Sequence, residues 1–365
     1  MKTLNIFDFI ETGENTLLKI LDALRNSEYD TFIYENAVAE IFVEQVLMKN
    51  HIPCAGKLVT QNCDVKEGTF FVEDFLRDCK SKINLIIARE NFNTELLEKY
   101  ADKMALIIKK DFRFAGAVIT DSEFMTLDFL KENSFRLNRV FNNLNDEWSQ
   151  KTLVAFINQK LSMNPKYMRA VKSNAPQYFE KDLLKFSTHE VFIDCGAYVG
   201  DSVISFINFL KEQGINSYDR IISFEPNETN YQRLTAQNFS NHLCIKAGVY
   251  DRKGTAHFKT SVFKSMARVD ETGEKIILMD TIDNVLAGSR ATFIKMDIEG
   301  AEAAALRGAK ETIKKYRPTL AISIYHKRTD LWEIPEYIAE LVMEYKFYIR
   351  AYADTANELI FYAII

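Results

Sequence analysis

The chain has 365 residues, 47% of them apolar and 27% charged, with a formal net charge of -5. This length suffices for two domains with separate cores, and the composition excludes a disordered chain. The acidic balance argues against a phosphate-backbone binder, and no apolar run approaches the roughly 20 residues that span a membrane.

From Tyr29 to Asp111, short apolar runs alternate with polar helical stretches. TFIY (31–34), KLV (57–59), TFFV (69–72), NLIIA (84–88) and MALIIK (104–109) read as buried strands. Between them Ala39, Phe42, Val43 and Val46 recur at helical spacing, as do Leu96, Leu97 and Tyr100. Strands alternating with helices predict a parallel sheet. In TFIYENAVAEIFVEQVL, Glu35 and Ala37 stand where a nucleotide-binding turn would carry glycines. A glutamate there opposes phosphate, so this domain reads as a degenerate Rossmann-like unit serving docking, dimerisation or substrate capture. Nucleotide-sugar binding stays open. From Thr120 to Thr188 the strands stop, and LNDEWSQKTLVAFINQKL and NAPQYFEKDLLKF are rich in helix formers. This segment is expected to be a helical connector packing on the C-terminal domain.

From Glu190 onward the alternation returns, with strand candidates VFID (191–194), IISFE (221–225), CIKAGV (244–249), TFIKMD (292–297) and TLAISIY (319–325). Val203, Phe206, Ile207 and Leu210 share one helical face after Asp201; Ile334, Ile338, Leu341, Val342 and Tyr345 share another after Glu333. Residues 254–278 suggest a short antiparallel insertion. FYIRAY and ELIFYAII, joined by DTAN, suggest a terminal β-hairpin. The expected fold class is α/β, with residues 1–119 a smaller Rossmann-like domain, 120–188 the connector, and 189–365 a mostly parallel sheet ending in that hairpin.

The stretch FIDCGAYVGDS (192–202) sets the functional question. A strand runs into Gly196-Ala197-Tyr198-Val199-Gly200 and opens a helix, a recipe for seating a nucleotide on backbone N–H groups. A dinucleotide site carries three glycines in G-x-G-x-x-G; here there are two, flanked by Asp194 and Asp201. These carboxylates repel a pyrophosphate. S-adenosylmethionine has no phosphate and carries a sulfonium and an ammonium group, so carboxylates at the loop favour it. The next strand ends in Glu225-Pro226-Asn227, near the offset of about 20 residues expected for a carboxylate gripping ribose hydroxyls.

A further strand carries KMDIEGAE (295–302), with Asp297 at the carboxyl end, where α/β sheets bind ligands, and Glu299 in the loop after it. The last parallel strand ends at His326. A histidine just past a strand end is well placed as a general base. His326, Asp297 or Glu299 are therefore the candidates to deprotonate an acceptor. The D-x-E spacing permits Mg²⁺, but no third ligand is evident, and no metal is expected. Five cysteines (Cys54, Cys63, Cys79, Cys195, Cys244) without a C-x-x-C pair suit a reducing compartment. The N-terminal MKTLNIFDFIETGEN lacks the apolar core of a signal peptide. The expectation is a cytoplasmic protein.

The segments DCGAYVGDS, ISFEPNETNYQRL, IKMDIEGAEAAALRG and ISIYHKRTDLWEIP, with IRAYADTANELIFY, resemble FkbM-type methyltransferases. DEWSQKTL (146–153) and APQYF (175–179) are similar to segments preceding the methyltransferase domain in two-domain bacterial members. The resemblance implies S-adenosylmethionine-dependent O-methylation, typically of sugar or natural-product hydroxyls. It also implies that Asp194, Gly196, Ala197, Tyr198, Gly200, Asp201, Glu225, Pro226, Asn227 and Asp297 contact the cofactor. His326 as base rests on position, not on the family. An NAD-dependent oxidoreductase fails on the missing glycine. The N/D-P-P-aromatic motif of base-amino methylation is replaced by D-I-E-G. A catalytically silent cofactor-binding or scaffold protein stays open. The expected partner is a small-molecule or glycan acceptor, with neither nucleic acid nor a membrane span, and with homo-oligomerisation through the N-terminal domain left open.

Overall fold

The computed structural model describes residues 4–11, 15–34, 39–59, 67–87, 95–110, 124–259, 268–269 and 275–365. The first sheet comprises β1 (Thr31–Tyr34), β2 (Gly56–Val59), β3 (Thr69–Phe71), β4 (Ile83–Ile87) and β5 (Met104–Lys109). They lie in the order β3-β2-β1-β4-β5, and every pairing is parallel. Period-2 alternation sends Ile33 and Ile86 into the core on one side, with Leu17, Leu21 and Val46. Phe32, Tyr34, Leu85 and Ile87 go to the other, with Leu58 and Leu76. Both faces are covered, as a parallel sheet requires. Val72, read as strand, instead opens the helix Val72–Asp78. Glu35 and Ala37 lie outside the described residues.

The second sheet begins with β6 (Val191–Cys195), β7 (Arg220–Phe224) and β8 (His242–Ile245). The strand expected over 244–249 is broken, because the Ala247 N–H turns back to the Ile245 carbonyl at 3.0 Å. The chain then enters a separate four-stranded sheet: β9 (Gly248–Val249), β10 (Gly254–Lys259), β11 (Arg268–Val269) and β12 (Lys275–Asp280). β10 pairs antiparallel with β11 and β12, giving the insertion its expected character. β13 (Phe293–Met296) and β14 (Thr319–Ser323) return to the second sheet, and β15 (Lys346–Ala351) and β16 (Leu359–Ile364) form the terminal hairpin.

The order of this seven-stranded sheet is β15-β16-β14-β13-β6-β7-β8. β14, β13, β6, β7 and β8 are mutually parallel, and β16 runs antiparallel to β14. Strand order reverses between β6 and β13, so a crevice opens at their carboxyl ends, the place where open α/β sheets take ligands. One face packs Phe192 and Phe293 against Phe179, Phe206 and Phe209. The other packs Ile193, Ile294 and Met296 against Phe156, Trp332 and Ile338.

Helices Leu127–Glu132, Ser134–Asn143, Glu147–Ser162 and Lys166–Val171 fill the connector. Asp146 caps the long one by accepting from the Ser149 N–H at 2.7 Å. The same carboxylate binds Arg350 of β15 at 2.6 Å, and the guanidinium stacks 4.4 Å from the Trp148 ring. The connector is thereby fixed to the hairpin. NAPQYFEKDLLKF departs from expectation, since residues 172–190 contain no helix. Ser173 instead bonds the Ala351 carbonyl at 2.7 Å, and Phe179 inserts among the sheet phenylalanines. The helix expected after Glu333 starts earlier, at Asp330, with Pro335 inside it. Burial of Leu331 and Trp332 in the core offsets the lost backbone bond. Among the described residues no helix is long and apolar enough to cross a membrane.

Candidate functional site

The glycine loop leaves β6 in a conformation few side chains allow. Gly196 has φ +81°, and a Cβ there would stand 2.0 Å from the Asp297 carbonyl oxygen. Gly200 has φ +96° and begins the helix Asp201–Glu212 without a side-chain cap. Tyr198 between them is also left-handed, at φ 49°. Gly196 and Ala197 both donate to the Phe224 carbonyl, at 3.1 and 3.0 Å, which lays the loop against the end of β7. Glu225, just past β7, receives the N–H of Tyr198 at 3.0 Å and of Asn227 at 2.7 Å. Its burial pushes the carboxyl up to about 7, against the pull of those N–H groups. Asn227 in turn caps the helix Glu228–Ala236, accepting from Asn230 at 3.2 Å.

Asp194, expected at the ligand, is fully buried. Its carboxylate stands 3.1 Å from Lys295 Nζ and accepts from the Ser202 hydroxyl at 2.6 Å. Lys295 also donates to the Gly196 carbonyl at 2.8 Å. Burial opposes its charge, but Asp194 and Asp297 outweigh that and hold the ammonium above its ordinary value. The pair braces the loop from beneath, while Asp201, in the first helical turn, is exposed.

Asp297 lies one residue past β13, its N–H bonded to the Cys195 carbonyl at 3.1 Å. Two tyrosine hydroxyls donate to its carboxylate: Tyr178 at 2.6 Å and Tyr325 at 3.0 Å. Burial works to raise this carboxyl, yet His326, Lys295 and the two hydroxyls keep it below its ordinary value. The adjoining D-I-E-G turn is wound left-handed at Glu299 (φ 55°) and Gly300 (φ 94°). Glu302 closes the turn by accepting from the Ile298 N–H at 2.8 Å.

His326 is fully buried behind these groups. Nδ1 is 2.9 Å from Glu302, and Nε2 is 3.4 Å from Asp297 and 3.6 Å from Glu299. Burial drives the imidazole toward neutrality, but the three carboxylates overcome it and hold the ring protonated up to about 10. Asp297, Glu302 and His326 each offer a ligand atom within 4.8 Å of the others, a trio different from the Asp297–Glu299 pair that the spacing suggests. A groove of about 910 Å³ lined by Phe9, Phe141, Lys151 and Tyr167 lies elsewhere and includes none of these residues.

Residues 194–348 match the methyltransferase FkbM domain family. This segment of the chain is therefore a methyltransferase FkbM domain. The chain's fold is shared with the methyltransferase FkbM from Methylobacillus flagellatus KT, at 22% identity and a TM-score of 0.72, covering 96% of this chain and 94% of that one. More distant are an rRNA methylase from Streptococcus thermophilus (12% identity, TM-score 0.31, 48% of this chain and 86% of that one) and a Streptococcus mutans protein in complex with SAH (12%, 0.32, 51% and 94%). Among curated proteins none matches the sequence.

In this FkbM domain the expected site residues converge on the ends of β6, β7, β13 and β14. Asp297, Glu299 and His326 form one cluster; Gly196, Ala197, Tyr198, Gly200 and Glu225 form the adjoining loop, with Pro226 leading from Glu225 to Asn227. Three further participants emerge only in the structure. Tyr325 directly precedes His326 and is within reach of strand reading, and Lys295 stands in the KMDIEGAE motif without a sign of its pairing with Asp194. Tyr178 is not legible, because its left-handed backbone (φ 70°) turns it out of a stretch that reads as helix.

Proposed function

We propose that the FkbM domain transfers a methyl group from S-adenosylmethionine to a hydroxyl of a carbohydrate or glycoconjugate precursor. The reading rests on one observation: a side-chain-free glycine loop and the buried Glu225 adjoin a carboxylate cluster at the switch point of the sheet. The residues fit this cofactor. Gly196 keeps the loop open to backbone approach, and Glu225 is oriented by two N–H groups with lone pairs left for ribose hydroxyls. The nearby cation, Lys295, is committed to Asp194 and so does not favour a pyrophosphate.

Bound there, the cofactor supplies an electrophilic methyl group on a sulfonium. The chain's part is alignment and proton removal. Asp297 and Glu299 keep 22% and 17% of their side chains exposed, whereas His326 has none. An acceptor hydroxyl entering the crevice meets a carboxylate first. Asp297 or Glu299 accepts its hydrogen bond and its proton, while His326, Tyr178 and Tyr325 hold those carboxylates in place. His326 thus moves from expected base to positioning residue. Residues 1–119 are assigned to docking, dimerisation or substrate capture, 120–188 to the connector and 189–365 to methyl transfer in the cytoplasm.

Calorimetric titration of the purified chain with SAH and with NADH tests the cofactor; SAH is retained and NADH is not. Labelled methyl uptake is then screened over nucleotide sugars. Retention of NADH in place of SAH would overturn the reading. SAH retention without uptake by any hydroxyl acceptor would favour a silent cofactor-binding protein.

A further inference from the structure

We propose that Asp297, Glu302 and His326 form a site for one divalent cation of the Mn²⁺ class. One carboxylate oxygen from each acid and one ring nitrogen of His326 lie within 4.8 Å of one another. Atoms bound to a common ion at about 2.0–2.2 Å stand no more than roughly 4.4 Å apart, so small side-chain rotations close the site.

A second observation is independent of this clustering. Glu302 Oε2 and both nitrogens of His326 are buried and make no aligned hydrogen bond. Buried polar atoms in folded proteins are nearly always satisfied; Glu302 Oε2 has no partner, and the nitrogens of His326 face only the carboxylates of Glu302, Asp297 and Glu299, so an ion that displaces the ring proton to solvent would take the place of these imperfect contacts. The flanking groups are built as a second shell. Glu302 Oε1 is pinned by the Ile298 N–H, which fixes the direction of Oε2. Asp297 is pinned by Tyr178 and Tyr325. Such outer hydrogen bonds orient ligating carboxylates in metal sites.

One nitrogen and two oxygens suit a borderline-hard ion, since imidazole disfavours Mg²⁺ and the carboxylates disfavour softer metals. Glu299 Oε2, 3.6 Å from His326 Nε2, lies at the rim of the site. The partly exposed Asp297 and Glu299 mark the side open to the crevice, where water and acceptor oxygens complete the coordination. There the ion would gather two neighbouring hydroxyls and ease loss of a proton from one. That role rests on the methyl-transfer reading; ion binding itself does not.

The test uses the full chain, stripped with EDTA and titrated with MnCl₂ under calorimetry, with the bound ion then followed by pulsed electron paramagnetic resonance. One Mn²⁺ per chain and a nitrogen coupling typical of imidazole are expected. Glu302→Gln and His326→Gln should each weaken binding at least tenfold, with circular dichroism checking that they fold. Absence of stoichiometric binding by the unaltered chain, or bound Mn²⁺ without nitrogen coupling, overturns the site whatever the variants do. SAH is titrated into the same stripped sample. SAH bound without Mn²⁺ would refute the ion site alone, and Mn²⁺ bound without SAH would refute the cofactor reading alone.

Discussion

The two parallel sheets share a plan and differ in what they bury at their strand ends. Around the first sheet, the buried polar side chains among the described residues are Asn15, Thr31 and Asn84, all uncharged. At the second, Asp194, Glu225, Lys295, Glu302, His326 and Asp330 are all buried. Burying charge costs several kcal/mol per ion before any partner is found. A fold that needs only a sheet does without it, as β1 and β4 do, whose buried polar members Thr31 and Asn84 carry no charge. The second sheet carries the same alternation of strands and helices and accepts the cost at its switch point. Buried charge, more than topology, distinguishes the sheet that carries the candidate site from the other.

The strongest way to break this comparison is Lys295→Met, which strands Asp194 in the core. It should lower unfolding stability by about 3–5 kcal/mol, read from urea denaturation. Adding Asp194→Asn should restore part of that loss, and no restoration would mean the two do not act as a pair. Gly196→Ala comes next. Backbone strain alone costs about 1–3 kcal/mol, and the new Cβ overlaps the Asp297 carbonyl, so SAH binding should be lost with the loop. SAH binding at the unaltered level would show the loop to be irrelevant to the ligand.

Glu225→Gln should weaken SAH binding by roughly tenfold to a hundredfold, the worth of a hydrogen bond to a charged group. The unaltered chain offers the same test through pH. Its carboxyl is raised to about 7, so affinity should fall as pH drops through 7, whereas a flat profile would remove Glu225 from the ribose. Stability runs the other way. The folded state keeps a proton that the unfolded chain releases near the ordinary 4.5, so this group's contribution declines between pH 4.5 and 7 as pH rises. Tyr178→Phe should lower turnover about tenfold at unchanged SAH affinity, by freeing one oxygen of Asp297. The smallest effect belongs to the first sheet. Ile86→Val should cost about 0.5–1.5 kcal/mol and leave SAH affinity untouched; a change in affinity would tie the two sheets together energetically.

Much of the fold was legible because apolar runs of strand length are hard to place elsewhere. MALIIK became β5 without change, and the TFIY, VFID and TFIKMD runs needed at most a residue at either end. What failed had a physical cause. The last helical face reads as beginning after Glu333, yet core burial of Leu331 and Trp332 carries the helix back to Asp330. The charge partners depend on strand order: Lys295 sits opposite Asp194 because β13 lies beside β6, which a single sequence does not reveal. By period 2 alone, Lys295 belongs with Asp297. His326 was found by position, but its enclosure by Glu302 and Asp297 needs the tight D-I-E-G turn in three dimensions.

Tyr178 stands upstream of the segment that matches the family, yet its hydroxyl holds the carboxylate of Asp297. The candidate site therefore draws on residues ahead of the matched segment. A chimera spliced at Asp194 would carry Asp297 without Tyr178, one of the two tyrosines whose hydroxyls its carboxylate accepts. Grafting between relatives should take the join back beyond Ala175, so that the leader travels with the sheet it completes.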